Sequence, residues 1–413
     1  MPADPHPMIR AALVGVSGYA RWHLLMAMEQ ALVGRLQLVG VTIINPTEEP
    51  MICARLSRQG IPIFNRWEDM LRALSGRLDL LLLPTGIQWH APMTIAALQA
   101  GANVLVEKPL AATLQEIDAI TAAQATTARL VAVGFQDLYV PAAHDIKHRI
   151  LAGEIGPLRQ ITVCARWPRP STYYARNSWA GSLRTTEGWV LDSPANNALA
   201  HFLMLALFWA GEQATTAAGV TELAAELYRV NPIESFDTIS LAARTAGGVA
   251  INFYGTHAGQ TERAPEIRLQ GATGQISWIY EKQYTVSVGS AAPLITPVPE
   301  QLETRLSVLE AVINRLHGAS SFIVEPNLAR AHTRLINALH QFFPIHTVAA
   351  PHQFLDQPPA GSGYRLQNID ALLDEAAERN VLLSETAAPW AVRGKMHSLG
   401  DYQAFAGCWT PPA

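Results

Sequence analysis

The chain has 413 residues, 49% apolar and 15% charged, with a formal net charge of −4 from 30 basic and 34 acidic side chains. That length exceeds what one hydrophobic core ordinarily serves, and the composition is that of folded protein, so two domains are expected and disorder is excluded. No Lys/Arg cluster supplies the electrostatic footprint of a nucleic-acid binder.

From the N-terminus, Met1 to Pro7 holds three prolines and no apolar core, which fits neither a signal peptide nor a membrane anchor. Ile9 to Gly15 is an apolar run ending in glycine, as expected of a strand buried on both faces of a parallel sheet. Leu36 to Ile44, Leu80 to Leu83, Val104 to Val106 and Leu130 to Val133 repeat the signal, with helical patterns between them at Pro92 to Ala100 and Leu114 to Ala123. This β-α alternation predicts an α/β Rossmann domain over 1–135, a doubly wound parallel sheet whose ligands bind at the carboxyl ends of the strands.

The pattern changes after Gly134. Pro141 to Ala152 reads as a helix stopped by Gly153, and Leu158 to Ala165 alternates like a strand. Asp237 to Ala246, Val249 to Gly255, Glu266 to Gly271 and Gln275 to Tyr280 read as antiparallel strands, with turns at Ala246-Gly247-Gly248 and Ala272-Thr273-Gly274. The second domain, 136–391, is therefore α+β. Ala291 to Gly363 is mixed in pattern and takes no assignment. A tail over 392–413 places Tyr402, Phe405 and Trp409 where packing against the protein or a neighbouring subunit is expected. The longest apolar stretch, Ala198 to Ala210, is too short for a bilayer, so a cytoplasmic location is expected. Cys53, Cys164 and Cys408 lack metal-binding spacing, and no metal is expected.

After the first strand comes Gly15-Val16-Ser17-Gly18-Tyr19-Ala20. A dinucleotide fingerprint wants glycine first for the tight turn, glycine third for approach to the pyrophosphate, and Gly or Ala sixth for helix packing. Ser17 departs from it, while Gly18 keeps the loop permissive and the helix N-terminus offers amides to phosphate. After the second strand stands Asn45, in the place where NAD enzymes usually carry an acidic ribose ligand; Glu48 and Glu49 follow, and NAD and NADP both remain open. The most specific signal is Glu107-Lys108-Pro109 at the end of a buried strand, where nicotinamide and substrate should meet. A lysine beside nicotinamide would have its pKa lowered toward the range of proton transfer.

With these residues the chain resembles the glucose-fructose oxidoreductase / inositol dehydrogenase / MocA family. The matching elements are the glycine loop with His23, Pro84-Thr85 with His90, Glu107-Lys108-Pro109-Leu110-Ala111, and Val133-Gly134-Phe135-Gln136. Leu151 to Gly156 and Ser384-Glu385 with Pro389-Trp390-Ala391 extend the likeness. The resemblance implies a Rossmann domain, with cofactor contacts from Gly15, Ser17, Gly18, Tyr19, Ala20, Asn45, Pro84, Thr85, His90, Glu107, Lys108 and Gln136. It also implies an open-faced, mainly antiparallel sheet, often used for homo-oligomers, and hydride transfer on sugars, cyclitols or their derivatives.

The family pairs an aspartate with a histidine four residues later. Aligned on His201, this chain has Asn197 in the aspartate position; the other register uses Asp192, with Asn196 in place of the histidine. His201 is favoured because its register keeps the downstream apolar helix. Ser193 should cap that helix with Pro194 at its first position, which would put Asn197 and His201 one turn apart on one face. Asn197 would then orient a hydroxyl while His201 or Lys108 handles the proton. Tyr173, Tyr174, Arg176 and Trp179 precede this segment, and aromatic faces beside polar donors suit a sugar ring. The expected function is NAD- or NADP-dependent oxidation of a secondary ring hydroxyl. The alternatives are redox-neutral lyase, epimerase or glycosidase chemistry with retained NAD, or a non-catalytic dinucleotide-binding regulator.

Overall fold

The computed structural model describes residues 6–357 and 361–410; the first five residues of the proline-containing N-terminal stretch, and the last three of the tail, lie outside them. The chain divides into two compact units. The first runs to Ala111 and takes Gln115–Tyr139 and Gln301–Ala329; the second takes Ala112–Leu114, Val140–Glu300 and the chain from Arg330 onward. This differs from the consecutive division at 135 expected from sequence, because 301–329 returns to the first unit.

The first unit alternates β1 (Ile9–Val14), α1 (Ala20–Leu32), β2 (Leu36–Thr42), α2 (Pro50–Arg58), β3 (Ile63–Phe64), α3 (Trp67–Leu74), β4 (Leu80–Leu83), α4 (Ile87–Gln99), β5 (Asn103–Val106), α5 (Leu114–Thr127) and β6 (Val131–Val133). The strands form one parallel sheet in the order β3-β2-β1-β4-β5-β6. All four leucines of β4 and all three residues of β6 are buried, the signature of strands covered on both faces. The order reverses between β1 and β4, so the loops leaving those strands diverge and open a crevice, the usual place for a ligand in such sheets.

The second unit begins with α6 (Pro141–Leu151), β7 (Leu158–Arg166), α7 (Ser171–Tyr174) and α8 (Ala200–Trp209). Then come β8 (Val220–Arg229), β9 (Thr238–Thr245), β10 (Ala250–Thr256), β11 (Arg263–Gly271), β12 (Gly274–Ile279), β13 (Gln283–Val288) and β14 (Leu294–Pro297). The stretch from Ala291 to Gly363 holds β14, α9 (Gln301–Leu316), which belongs to the first unit, α10 (Pro326–Phe342), β15 (Ile345–Thr347) and β16 (Gln353–Asp356), and β17 (Gly363–Leu366) starts at its end. The chain then adds α11 (Ile369–Arg379) and β18 (His397–Ser398). The large sheet runs β14-β13-β12-β11-β7-β10-β9-β8-β15, with β18 against β8; it is antiparallel except for β7/β10 and β8/β15. Outside that stretch, β3, β8, β13 and β18 have no counterpart among the expected strands. For β8 the reason is its Ala, Glu and Leu content, which favours helix until sheet neighbours on both sides override it.

One face of this sheet carries α8, whose Phe202 and Trp209 meet Trp278 of β12. On the other face α11 covers one patch: Cys164, Tyr228 and Tyr254 form one core with Ile369, Leu373 and Ala376. Lys147 closes the C-terminal end of α8 by donating to the carbonyls of Phe208, Gly211 and Thr216; burial lowers its amine to about 8. The tail packs on the second unit, with Phe405 against Trp189 and the Tyr402 hydroxyl donating to Gln341. No described helix is long and apolar enough to cross a membrane.

Candidate functional site

In the first unit, the expected dinucleotide residues gather at the carboxyl ends of β1, β4, β5 and β6. Gly15 and Gly18 take φ of +85° and +54°, conformations a side chain resists, and they turn the chain sharply from β1 into α1. A Cβ on Gly15 would stand 3.5 Å from that of Ala20, so small residues at the first and sixth positions let the helix close on the strand. A Cβ on Gly18 would meet nothing within 4 Å, leaving an open cradle beside the loop. The first turn of α1 holds no acidic residue, so its positive end faces that cradle uncompensated. A pyrophosphate fits these residues. Ser17 is exposed and uses its carbonyl to accept from Ala20 N at 3.1 Å.

Five hydrogen bonds made by side chains tie the loops together. The Tyr19 hydroxyl donates to Gln136 Oε1 at 2.7 Å, joining the β1 and β6 loops. Burial, followed by the charge of Glu107, pushes its pKa up, so it remains a neutral donor. Glu107 Oε1 accepts from His23 Nε2 at 2.9 Å, both groups buried, while Glu107 Oε2 accepts from Lys108 N at 3.2 Å. That carboxylate rests on Gly134, where a Cβ would lie 2.5 Å from Oε1. His90 Nδ1 lies 2.6 Å from Pro109 O and its Nε2 3.2 Å from Thr85 O. Burial lowers the His90 pKa, and the single proton of the neutral ring belongs on Nδ1 at the shorter contact. Glu107 and His90 thus fix the backbone on both sides of Lys108, which is half-buried just past β5. Pro84 and Thr85 are half-buried after β4. Asn45 is exposed after β2, its amide donating to Glu48 Oε1 at 2.6 Å and its Oδ1 accepting from Thr47 at 2.8 Å. Arg21, in the first turn of α1, pairs with Glu49 at 2.6 Å.

In the second unit, the helix carrying His201 starts later than expected. Ser193 Oγ accepts from Asn196 N at 3.2 Å, the expected capping contact, yet 193–199 forms turns and α8 begins only at Ala200. The cause is competition from buried side chains: Asn196 Nδ2 donates to the carbonyls of Val190 (3.2 Å) and Leu191 (3.0 Å), and Leu191 has φ +52°. Asn197 therefore precedes α8 instead of sharing a helical face with His201. Its amide donates to Asp192 Oδ1 at 2.8 Å, and Asp192 Oδ2 accepts from Gly181 N at 2.6 Å. The residues named by the two alternative registers are thus bonded to each other, with a buried carboxylate beside the neutral amide. His201 is 9% exposed at the start of α8.

Tyr173 and Tyr174 lie on α7, their rings 5.2 Å apart. Arg176 sits 3.6 Å over the Tyr173 ring and 5.5 Å from the Trp179 ring. Sequence reasoning missed three side chains. Arg169 lies 4.9 Å from the same Tyr173 ring, and His257 packs 5.7 Å from it. In the first unit, the 8%-exposed Arg305 of α9 stacks 5.4 Å from Tyr19 and 4.0 Å from Trp22. Trp167-Pro168-Arg169 adjoins the aromatic segment and could have drawn attention to Arg169, whereas His257 and Arg305 sit in no local motif. Among the described residues no group of three His, Cys, Asp or Glu side chains is placed to hold a metal.

Comparison with known proteins follows the same division. A family model described as an oxidoreductase family, NAD-binding Rossmann fold, matches residues 9–135, and the C-terminal domain model of that family matches 144–277. The scyllo-inositol 2-dehydrogenase (NAD(+)) of Bacillus subtilis is 38% identical over 79 residues, 19% of this chain and 23% of that protein. Inositol 2-dehydrogenase 3 of Saccharopolyspora erythraea is 27% identical over 189 residues, 45% of this chain and 54% of its own. The chain thus aligns with about a quarter to a half of these curated relatives. Two solved structures share the fold over most of both chains. The WlbA dehydrogenase of Bordetella pertussis, in complex with NADH and UDP-GlcNAcA, has a TM-score of 0.66 at 22% identity, covering 80% of this chain and 95% of that one. Levoglucosan dehydrogenase, in complex with NADH and L-sorbose, has a TM-score of 0.68 at 17% identity, covering 81% and 96%. With the cradle after β1, the Glu107-Lys108-Pro109 turn and a family model matching each of the two domains, the chain belongs to the Gfo/Idh/MocA oxidoreductase family.

Proposed function

We propose that this protein is an NAD(P)-dependent oxidoreductase acting on a secondary hydroxyl of a sugar, a cyclitol or a derivative of one. The observation that carries this reading is the positive-φ cradle beside an uncompensated helix N-terminus, with Lys108 held by its neighbours Glu107 and His90 at the end of β5. The inositol dehydrogenases among the relatives, and the neighbour crystallised with L-sorbose, support a polyhydroxylated substrate.

When bound, the dinucleotide supplies the hydride acceptor or donor. The amides of the Gly15–Tyr19 loop and α1 hold its pyrophosphate, and Gln136, Thr85 and Asn45 line the rest of its course. Lys108 and His201 serve the hydroxyl proton, Lys108 as a cation that stabilises a developing alkoxide and His201 as the proton acceptor. Asn197 is the positioning group. Its bond to Asp192 fixes its amide, so that its position does not depend on a charge of its own. Homo-oligomer formation through the open sheet, outside the patch that α11 covers, also belongs to this proposal.

Lys108→Ala and His201→Ala should each lower turnover by at least about a hundredfold, the scale of a lost general acid or base, with NADH and NADPH affinities by fluorescence titration changed little. Full turnover in either variant would remove that residue from the mechanism. Failure of both dinucleotides to bind the unaltered protein would end the proposal as a whole.

A further inference from the structure

Around Tyr173 the second unit assembles two cations that pair with no carboxylate among the described residues. Arg169 and Arg176 approach one ring at 4.9 Å and 3.6 Å, so two like charges share one aromatic platform. Neither guanidinium has a carboxylate at ion-pair distance among the described residues; Arg176 donates to Tyr173 O at 2.6 Å, and Arg169 Nε is buried with no hydrogen-bond partner. Holding two guanidinium groups beside each other costs free energy that a surface protein side chain would normally relieve with an Asp or Glu.

A second observation is independent of these charges. His257, 2% exposed and edge-on to the Tyr173 ring, has its Nε2 buried without a hydrogen-bond partner. The Tyr174 hydroxyl, on the ring next to Tyr173, is buried and unpartnered too. Buried polar groups ordinarily find partners, and three such groups around the Tyr173–Tyr174 pair, Arg169 Nε, His257 Nε2 and the Tyr174 hydroxyl, indicate a ligand. Burial, reinforced by Arg169 and Arg176, keeps the His257 ring neutral, so it offers one N–H and no third charge. Burial holds the Tyr174 phenol protonated as well, a second neutral donor.

We propose that Arg169, Arg176, His257 and Tyr174 form a carboxylate-binding corner, and that the substrate is therefore a polyhydroxylated acid, a uronate or aldonate, instead of a neutral sugar. The assignment rests on the reading of the protein as a sugar or cyclitol oxidoreductase and narrows it. A planar guanidinium pairs with carboxylate in two parallel hydrogen bonds, and stacking on Tyr173 fixes the plane of Arg176 for that purpose. A single negative charge suits the corner better than a phosphate dianion, because the carboxylates of Asp192 and Asp237 already act on Tyr173 and Tyr174.

The test is calorimetric titration of the full chain, with and without NADH, using matched probes: glucuronate against glucose, galacturonate against galactose, gluconate against glucitol, and glucose 6-phosphate. At least one acid should bind about tenfold or more tighter than its neutral partner, and the advantage should shrink at high salt. Arg176→Gln, at an exposed position, and Arg169→Gln should each remove that preference, Arg176→Lys should keep most of it, and NADH affinity and the urea midpoint should stay the same. Equal or tighter binding of the neutral partners, tightest binding of glucose 6-phosphate, or no binding of any probe overturns the proposal. Turnover of neutral polyols without acid binding would sink the carboxylate corner and spare the oxidoreductase reading. Acid binding without nicotinamide reduction would do the reverse.

Discussion

The two units hold their chemical groups in place by different means. In the first, Gly15, Thr85, Lys108 and Gln136 follow directly from strands whose hydrogen-bond ladder fixes where each loop begins. In the second, Asp192, Asn196 and Asn197 lie in turns between α7 and α8, where buried side chains bonded to backbone replace the ladder. The first arrangement tolerates local change because the sheet persists without it. The second depends more on those polar contacts, which add to turn hydrogen bonds and buried apolar side chains such as Val190 and Leu199.

Matched glycine substitutions should expose that contrast with the largest effect. Gly181 donates to Asp192, has φ +76°, and a Cβ there would stand 2.6 Å from Ile233 Cγ2 and 2.8 Å from Ile233 Cβ. Gly181→Ala should cost about 3 kcal/mol, the sum of left-handed backbone strain and overpacking. Gly134→Ala meets only the movable end of Glu107 and should cost roughly 1–2 kcal/mol, chiefly through the displaced bond to His23. Urea midpoints followed by tryptophan fluorescence would show this order, and equal losses would erase the distinction between ladder and turn.

Acid should act on the second unit through a group that no turn contains. His340 of α10 is buried, with its Nδ1 at 3.0 Å from Ile336 O, and burial lowers its pKa to about 4. The unfolded chain takes up this proton near pH 6.5 and the folded chain only near pH 4. The stability contributed by the neutral ring is therefore complete above pH 6.5 and is lost as pH falls toward 4, by about 3 kcal/mol over the window. His340→Phe should flatten the dependence of the urea midpoint on pH between 6.5 and 4. An unchanged slope would clear His340 of the effect.

The smallest expected effect sharpens the first unit. Arg21 is engaged by Glu49 beside Asn45, where the adenosine ribose should lie. Glu49→Ala frees that cation and should raise the ratio of NADPH to NADH affinity by roughly threefold to tenfold, as expected for one exposed charge pair. A constant ratio in fluorescence titrations would show that Arg21 does not face the ribose.

The same contrast explains what was legible in sequence. β1, β4, β5 and β6 announce themselves as apolar runs, and Glu107-Lys108-Pro109 is readable because its meaning depends on the strand just before it. The helix expected from Ser193 failed because cap and proline signals are local, whereas the Asn196 bonds that unwind the segment depend on where Val190 and Leu191 are placed. β8 was hidden by helix-favouring residues. Arg169 and His257 come from different segments and acquire meaning only when β7 and β10 pair side by side. The return of 301–329 to the first unit was illegible for the same reason, since nothing in α9 names Tyr19 and Trp22 as its neighbours.

That return has a consequence for synthesis. A nascent chain that has just emerged through β6 carries every strand of the first sheet. It still lacks Val324, whose carbonyl accepts from Val133 N at 2.9 Å, and Arg305, which covers Tyr19 and Trp22. Domains ordinarily close in the order in which the ribosome delivers them. Here the N-terminal unit stays unfinished while β7 through β14 are made, and its closure waits on α9, so maturation of the dinucleotide cradle is timed by translation of the other unit.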